Sequence, residues 1–174
     1  RGFTLIELLT TFALLAVLLV LAAPSFIAFQ RNAELTSNAN AFVAALSAAR
    51  AEAMKRQLST FVVPVSGEDW ATGWVVFVDV DSDLARGAGD IEVSQQPAIP
   101  GTLSVVVSAD ANAFNDTATS RKYVMYNGSG FMRQTGGGFQ AGALELESVT
   151  GAKRRIIAEP AGRLLRYTYT AWDD

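Results

Sequence analysis

The 174-residue sequence contains no cysteine and no histidine. Without cysteine there is no disulfide, no thiol nucleophile and no cysteine-based metal centre. Without histidine the commonest metal ligand and the usual general base are missing, so Ser-His-Asp and Cys-His chemistry are both excluded. A phosphate-binding loop is absent as well, because Gly136-Gly137-Gly138 is followed by Phe139 rather than by Lys-Ser/Thr. Glu145 and Glu147 share one face of a predicted strand, where paired carboxylates read as solvent-facing charge. The expectation is a protein that is not an enzyme and needs no cofactor. Charge is also scarce in places. Residues 58–120 hold a single cation, Arg86, and are net −8, whereas residues 1–57 are net +2 and residues 121–174 are net +3. Partners would therefore meet different charge on different faces.

From Leu8 to Phe29 there are 22 residues without a charge. About 20 apolar residues in a helix cross a bilayer, so this run is long enough to span. Glu7 stands immediately before it. A carboxylate at the edge of a membrane helix is costly to bury and reads as functional. Pro24 lies inside the run; it removes one backbone hydrogen bond and predicts a kink or local unwinding around Val20–Ala23. Beyond Phe29 the pattern turns amphipathic. Leu35, Ala39, Phe42, Leu46, Ala49 and Ala53 form one apolar stripe at helical spacing. Lys55 and Arg56 close the helix where its dipole favours cations.

From Thr60 the chain changes to short runs rich in Val, Ile, Tyr and Phe, most of them separated by Gly, Pro, Asn or Asp. Strands are predicted at Thr60–Val65, Gly73–Val80, Ile91–Gln95, Thr102–Ser108, Lys122–Tyr126, Gly130–Gln134, Ala143–Glu147, Arg154–Glu159 and Leu164–Thr170. Ser108–Ser120 and Gly136–Gly138 read as loops. Strands without intervening helices imply antiparallel pairing. The fold class is α+β: a long N-terminal helix, transmembrane in its first half and amphipathic in its second, packed on an antiparallel sheet or sandwich. The domain expectation is residues 3–57 for the helix, with 3–29 crossing the membrane, and 58–174 for one globular β-rich unit.

Gly2-Phe3-Thr4-Leu5-Ile6-Glu7, directly before a spanning run, resembles the class III signal of type IV pilins and type II secretion pseudopilins. The resemblance implies that residues 1–2 are the remnant of a leader. A prepilin peptidase would cut between Gly2 and Phe3 and methylate the new amine. It also implies that Glu7 pairs with the amine of a neighbouring subunit during assembly, and Pro24 falls where many pilins carry a helix-loosening proline. Ala49-Arg50-Ala51-Glu52-Ala53-Met54-Lys55-Arg56 is similar to a block found in GspH, FimT and FimU-type minor pilins and pseudopilins. Trp70-Ala71-Thr72-Gly73-Trp74 followed by an apolar strand matches another tract of that group. The implied function is a minor subunit at the tip of a type IV pilus or type II secretion pseudopilus, priming filament assembly. The implied partners are other minor and major pilins or pseudopilins, the peptidase and the bacterial inner membrane, with the globular domain in the periplasm.

Two further clusters bear on function. Asp79, Asp81 and Asp83 have the start of a Ca²⁺ loop, but the sixth position is Leu84 rather than Gly and the twelfth is Asp90 rather than Glu. A solvated acidic turn is the favoured reading over a metal site. Lys153, Arg154, Arg155, Arg163 and Arg166 form a basic C-terminal region with Tyr167, Tyr169 and Trp172 close behind. Such a set can neutralise phosphates and stack bases. It resembles the Gly-Arg-x-Arg motif of DNA-binding FimT-type pilins, which makes DNA uptake the alternative function. Here Gly162-Arg163-Leu164-Leu165-Arg166 has one extra residue between the arginines. In a strand that residue sends them to opposite faces.

Overall fold

The structure, a computed structural model, describes residues 2–106, 114–116 and 120–169, with Tyr167 and Tyr169 described by backbone alone. One helix, α1, runs from Leu5 to Arg56. At about 1.5 Å per residue its 52 residues extend about 78 Å. It passes through Pro24 unbroken. Val20–Ala23 are helical as well, because a proline ring removes one donor while its fixed φ suits a helix. The helix ends at Gln57, which adopts a left-handed φ of 59° and turns its side-chain amide back to the carbonyl of Met54.

Among the described residues eight strands follow: β1 (Thr60–Pro64), β2 (Trp74–Val78), β3 (Ile91–Gln96), β4 (Leu103–Val106), β5 (Val124–Tyr126), β6 (Gly142–Ser148), β7 (Lys153–Ala158) and β8 (Leu164–Tyr169). They make two four-stranded sheets, β3-β2-β1-β5 and β4-β6-β7-β8. Every ladder is antiparallel. The predicted strand Gly130–Gln134 is absent. Gly130 sits at φ 77° in a turn closed by its amide on the Asn127 carbonyl. Beyond it Met132 and Arg133 make single bridges to different partners, Tyr126 and Phe139, so no ladder can propagate. Two predicted strands also start too early. Trp70–Thr72 is a short 3₁₀ turn capped by the Asp69 carboxylate, so β2 begins only at Trp74. Lys122 makes a lone bridge to Asn115 ahead of β5. Most of the predicted loop Ser108–Ser120, and Trp172, lie outside the described residues.

The helix stripe is the spine of the core. Leu35, Ala39, Phe42, Leu46, Ala49 and Ala53 are all fully buried. They meet Val62, Trp74, Val76, Val124 and Tyr126 of the first sheet, and Leu144, Leu146, Ile156 and Ala158 of the second. Phe42 is the hub. Its ring stands edge-on to Trp70 at 5.3 Å and to Trp74 at 5.1 Å, an arrangement the ring quadrupoles favour. A second cluster covers the outer face of the first sheet: Phe61, Phe77, Tyr123 and Met125, with Leu84 packed against it.

Candidate functional site

The N-terminal half of α1 is a long, continuous apolar surface. Every residue from Gly2 to Gln30 is exposed, including Phe3, Leu5, Ile6 and the leucines and valines up to Leu21. Among the described residues none of this stretch enters the core. A contiguous apolar surface this large marks a membrane or a partner.

At its tip the chain forms a capping box. The Glu7 amide donates to Thr4 Oγ1 at 3.2 Å, and Glu7 Oε2 accepts from both the Thr4 amide and the Thr4 hydroxyl at 3.2 Å. The Ser/Thr-x-x-Glu spacing that produces this motif is visible in Thr4-Leu5-Ile6-Glu7, so Thr4 was a legible participant that the family resemblance alone does not single out. The box satisfies donors that the first helical turn leaves unpaired. It also gives the Glu7 carboxylate partners within its own chain.

At the other end the Ala-Arg-x-Glu block divides into two jobs. Glu52 binds Lys55 at 3.0 Å and Arg56 at 2.6 Å, one turn away on the same helix. Arg50 instead reaches across the domain. Its two Nη atoms donate to the carbonyls of Ala161 at 2.9 Å and Gly162 at 3.0 Å. Gly162, at φ 74°, has no room for a side chain: a Cβ would stand 2.7 Å from Arg50 Nε. Gly130 is crowded in the same way, with a Cβ falling 2.8 Å from Met54 Sδ. Arg50 thus ties the helix to the turn that precedes β8. Near the start of the buried half, Glu34 Oε2 accepts from Thr102 Oγ1 at 2.6 Å and from Arg31 at 3.2 Å. The Thr102 hydrogen bond, then Arg31, lowers the Glu34 carboxyl below its ordinary value against the opposing effect of desolvation.

The five candidate cations of the C-terminal region are dispersed. Lys153 and Arg155 lie on the outer face of the second sheet, where both engage the buried Glu145 carboxylate, at 3.7 Å and 2.7 Å. Arg154 points to the helix side and donates to Thr36 Oγ1 at 3.4 Å. Arg166 joins it there and donates to Asn40 Oδ1. Burial first, and then the neighbouring Arg166 charge, lowers the Arg154 guanidinium below its ordinary value. Arg163 lies before β8 rather than in it and pairs with Glu159 at 3.3 Å. The two halves of the Gly-Arg-x-x-Arg stretch are separated by a turn boundary, as well as by the extra residue.

The acidic loop after β2 combines one buried aspartate with two exposed ones. Asp79 is 1% exposed, and its Oδ2 accepts from the Leu84 amide at 3.2 Å. Asp81 and Asp83 are exposed, yet one carboxylate oxygen from each of the three lies within 4.8 Å of the others. Asp90 braces the loop through the amides of Val80 at 3.0 Å and Gly87 at 2.7 Å.

Comparison with known proteins bears on the helix and the β domain separately. The prokaryotic N-terminal methylation motif matches residues 1–23. The family described as type II transport protein GspH matches residues 38–162. Among solved structures, the fold is similar to the type IV minor pilin FimU of Pseudomonas aeruginosa, with a TM-score of 0.57 at 17% identity over 80% of this chain and 92% of that one. It is also similar to the minor pseudopilin EpsH from the type 2 secretion system of Vibrio cholerae, with a TM-score of 0.52 at 13% identity over 78% of this chain and 97% of that one. No curated protein sequence matches.

Proposed function

Because the chain belongs to the GspH family, we propose that it is a minor pilin or pseudopilin that co-assembles at the tip of a filament and primes its growth. The observation that carries this reading is the division of α1. Its first half buries nothing among the described residues, while its second half is the spine of the β domain's core. Residues 5–29 extend about 37 Å, enough to cross a hydrocarbon layer of about 30 Å. They anchor the subunit in the inner membrane before assembly and pack among neighbouring helices afterwards. The β domain then stands in the periplasm.

Processing falls between Gly2 and Phe3, within the stretch matched by the methylation motif. The freed amine of Phe3 becomes the partner for Glu7 of the adjoining subunit. In an apolar setting an unpaired carboxylate is expensive, and this cost selects the register in which the two charges meet. The capping box adds a step to that account. Before assembly, the Thr4 amide and hydroxyl hold Glu7 Oε2 and reduce the cost of keeping the carboxylate at the membrane edge. Contact with a second subunit adds an amine to a carboxylate already oriented by its own helix. Peptidase, other pilins or pseudopilins, and the inner membrane are the partners of this mechanism.

The test is Glu7→Ala in cells that assemble the filament. The variant is expected to insert, lose its leader and accumulate in the membrane, while recovery in sheared filaments falls at least about tenfold, the loss that 1.4 kcal/mol of pairing would give. Incorporation at the wild-type level would refute the pairing.

A further inference from the structure

The assembly mechanism proposed above assigns no role to the acidic loop. Three facts about it belong together. Asp79, at the end of β2, is buried, and its Oδ1 has no hydrogen-bond partner. Oxygens of Asp79, Asp81 and Asp83 converge within 4.8 Å of one another. Among the described residues, no lysine or arginine pairs with any of the three, and nearby Arg86 is held by Glu92 at 2.6 Å. A backbone amide serves the other oxygen of Asp79, but a buried carboxylate with one oxygen unserved, grouped with two further carboxylates, is costly unless a cation sits among them.

We infer that Asp79, Asp81 and Asp83 bind a Ca²⁺ ion, with Asp79 as the buried anchor and the two exposed aspartates closing over it. The spacing suits that ion. Oxygens at about 2.4 Å from one Ca²⁺ stand at most about 5 Å apart, which accommodates the 4.8 Å grouping. Waters complete the shell on the open side, since three side chains are fewer than the six to eight oxygens Ca²⁺ takes. Leu84, which departs from the glycine of a standard loop, adopts the left-handed conformation that glycine would supply, at φ 61°. Its side chain is held by the Phe61–Phe77 cluster, and that packing supports the unusual backbone. Asp90 does not replace the missing bidentate glutamate; both its oxygens are bonded to loop amides.

Full-length protein in detergent micelles, stripped with a chelator, would be titrated with CaCl₂ by calorimetry near neutral pH, with MgCl₂ as the comparison. One equivalent of Ca²⁺ is expected to bind with a dissociation constant on the order of 0.1–1 mM, as for extracellular modules with few ligands, and to raise the melting temperature; Mg²⁺ should bind at least about tenfold more weakly. Asp81→Asn and Asp83→Asn lie on the exposed side and keep an acceptor oxygen for the loop amides, so the fold tolerates them. Each should weaken Ca²⁺ by about tenfold or more through the lost ligand charge. Asp79→Asn is the stronger ligand test, judged alongside these two because it is buried. The inference is overturned if wild type shows no saturable Ca²⁺ heat, if Mg²⁺ binds equally well, or if the Asp81→Asn/Asp83→Asn double variant binds as wild type does.

Discussion

The two halves of α1 share a backbone geometry and differ in everything that surrounds it. From Leu8 to Phe29 the side chains are uncharged, mostly apolar and all exposed, without a preferred face. From Leu35 to Ala53 the apolar side chains fall on one stripe, and that stripe is fully buried against both sheets. Small side chains help here: the alanines at 39, 45, 49 and 53 let the helix lie close to the sheets, while Phe42 and Leu46 fill the space between them. A helix that is apolar all round needs an apolar solvent; one with a stripe needs only a folded partner. The same chain thus writes two environments into one continuous element. The change comes around Arg31–Glu34, where charge returns after the uncharged run that follows Glu7 and where Glu34 meets Thr102 ahead of β4.

The sharpest way to break this contrast is to truncate one large side chain in each half. Phe42→Ala should destabilise the β domain by about 3–5 kcal/mol, because it empties the site between Trp70 and Trp74. Leu15→Ala, exposed in the other half, should change it by less than about 0.5 kcal/mol. Denaturant unfolding of the full chain in micelles, followed by tryptophan fluorescence, measures both. Equal effects would mean that the first half also packs on the domain.

Arg50→Ala comes next. It removes two hydrogen bonds from a charged group to the carbonyls of Ala161 and Gly162. A loss of about 1.5 kcal/mol is expected, at the low end for such bonds because one of the two is exposed. Arg50→Lys should recover less than half, since an ammonium cannot reach both carbonyls in the planar fork. Amide exchange in the 160–163 turn should rise in both variants.

The smallest effect belongs to the junction between the halves. The Glu34 carboxyl is lowered in the folded state, chiefly by Thr102. A depressed acid stabilises the fold above its unfolded value, ordinarily 4.5, and that contribution is lost as pH falls through the lower folded value. Glu34→Gln should therefore remove a small part of the acid sensitivity below about pH 4.5 and leave stability near neutral pH slightly reduced. Identical pH profiles for wild type and variant would show that Thr102 does not hold this carboxylate in solution.

Much of this was legible in the chain. The stripe at 35, 39, 42, 46, 49 and 53 predicts its buried face residue by residue, since a helix repeats every 3.6 residues whatever it packs against. The strands at β1, β3, β6, β7 and β8 fall within a residue or two of where branched and aromatic runs place them. The Gly130–Gln134 run has strand composition and no ladder, because a strand exists only when a neighbour offers a matching edge. The basic region reads as one cluster along the chain, yet alternation across β7 sends Arg154 to one face and Lys153 and Arg155 to the other, where both engage Glu145.

By itself the sequence determined the helix, its change of character near Phe29, the antiparallel β class and the Gly-Phe-Thr-Leu-Ile-Glu start, because each rests on composition and short-range periodicity. The tertiary structure alone decided the rest. Arg50 meets Gly162 across 112 residues of chain, and Glu34 meets Thr102 across 68. Asp79 loses water only because the end of β2 is folded under its own loop. Local pattern states what an element must bury or expose; which distant group it finds there depends on how the sheets close around the helix, and no short window of sequence contains that information.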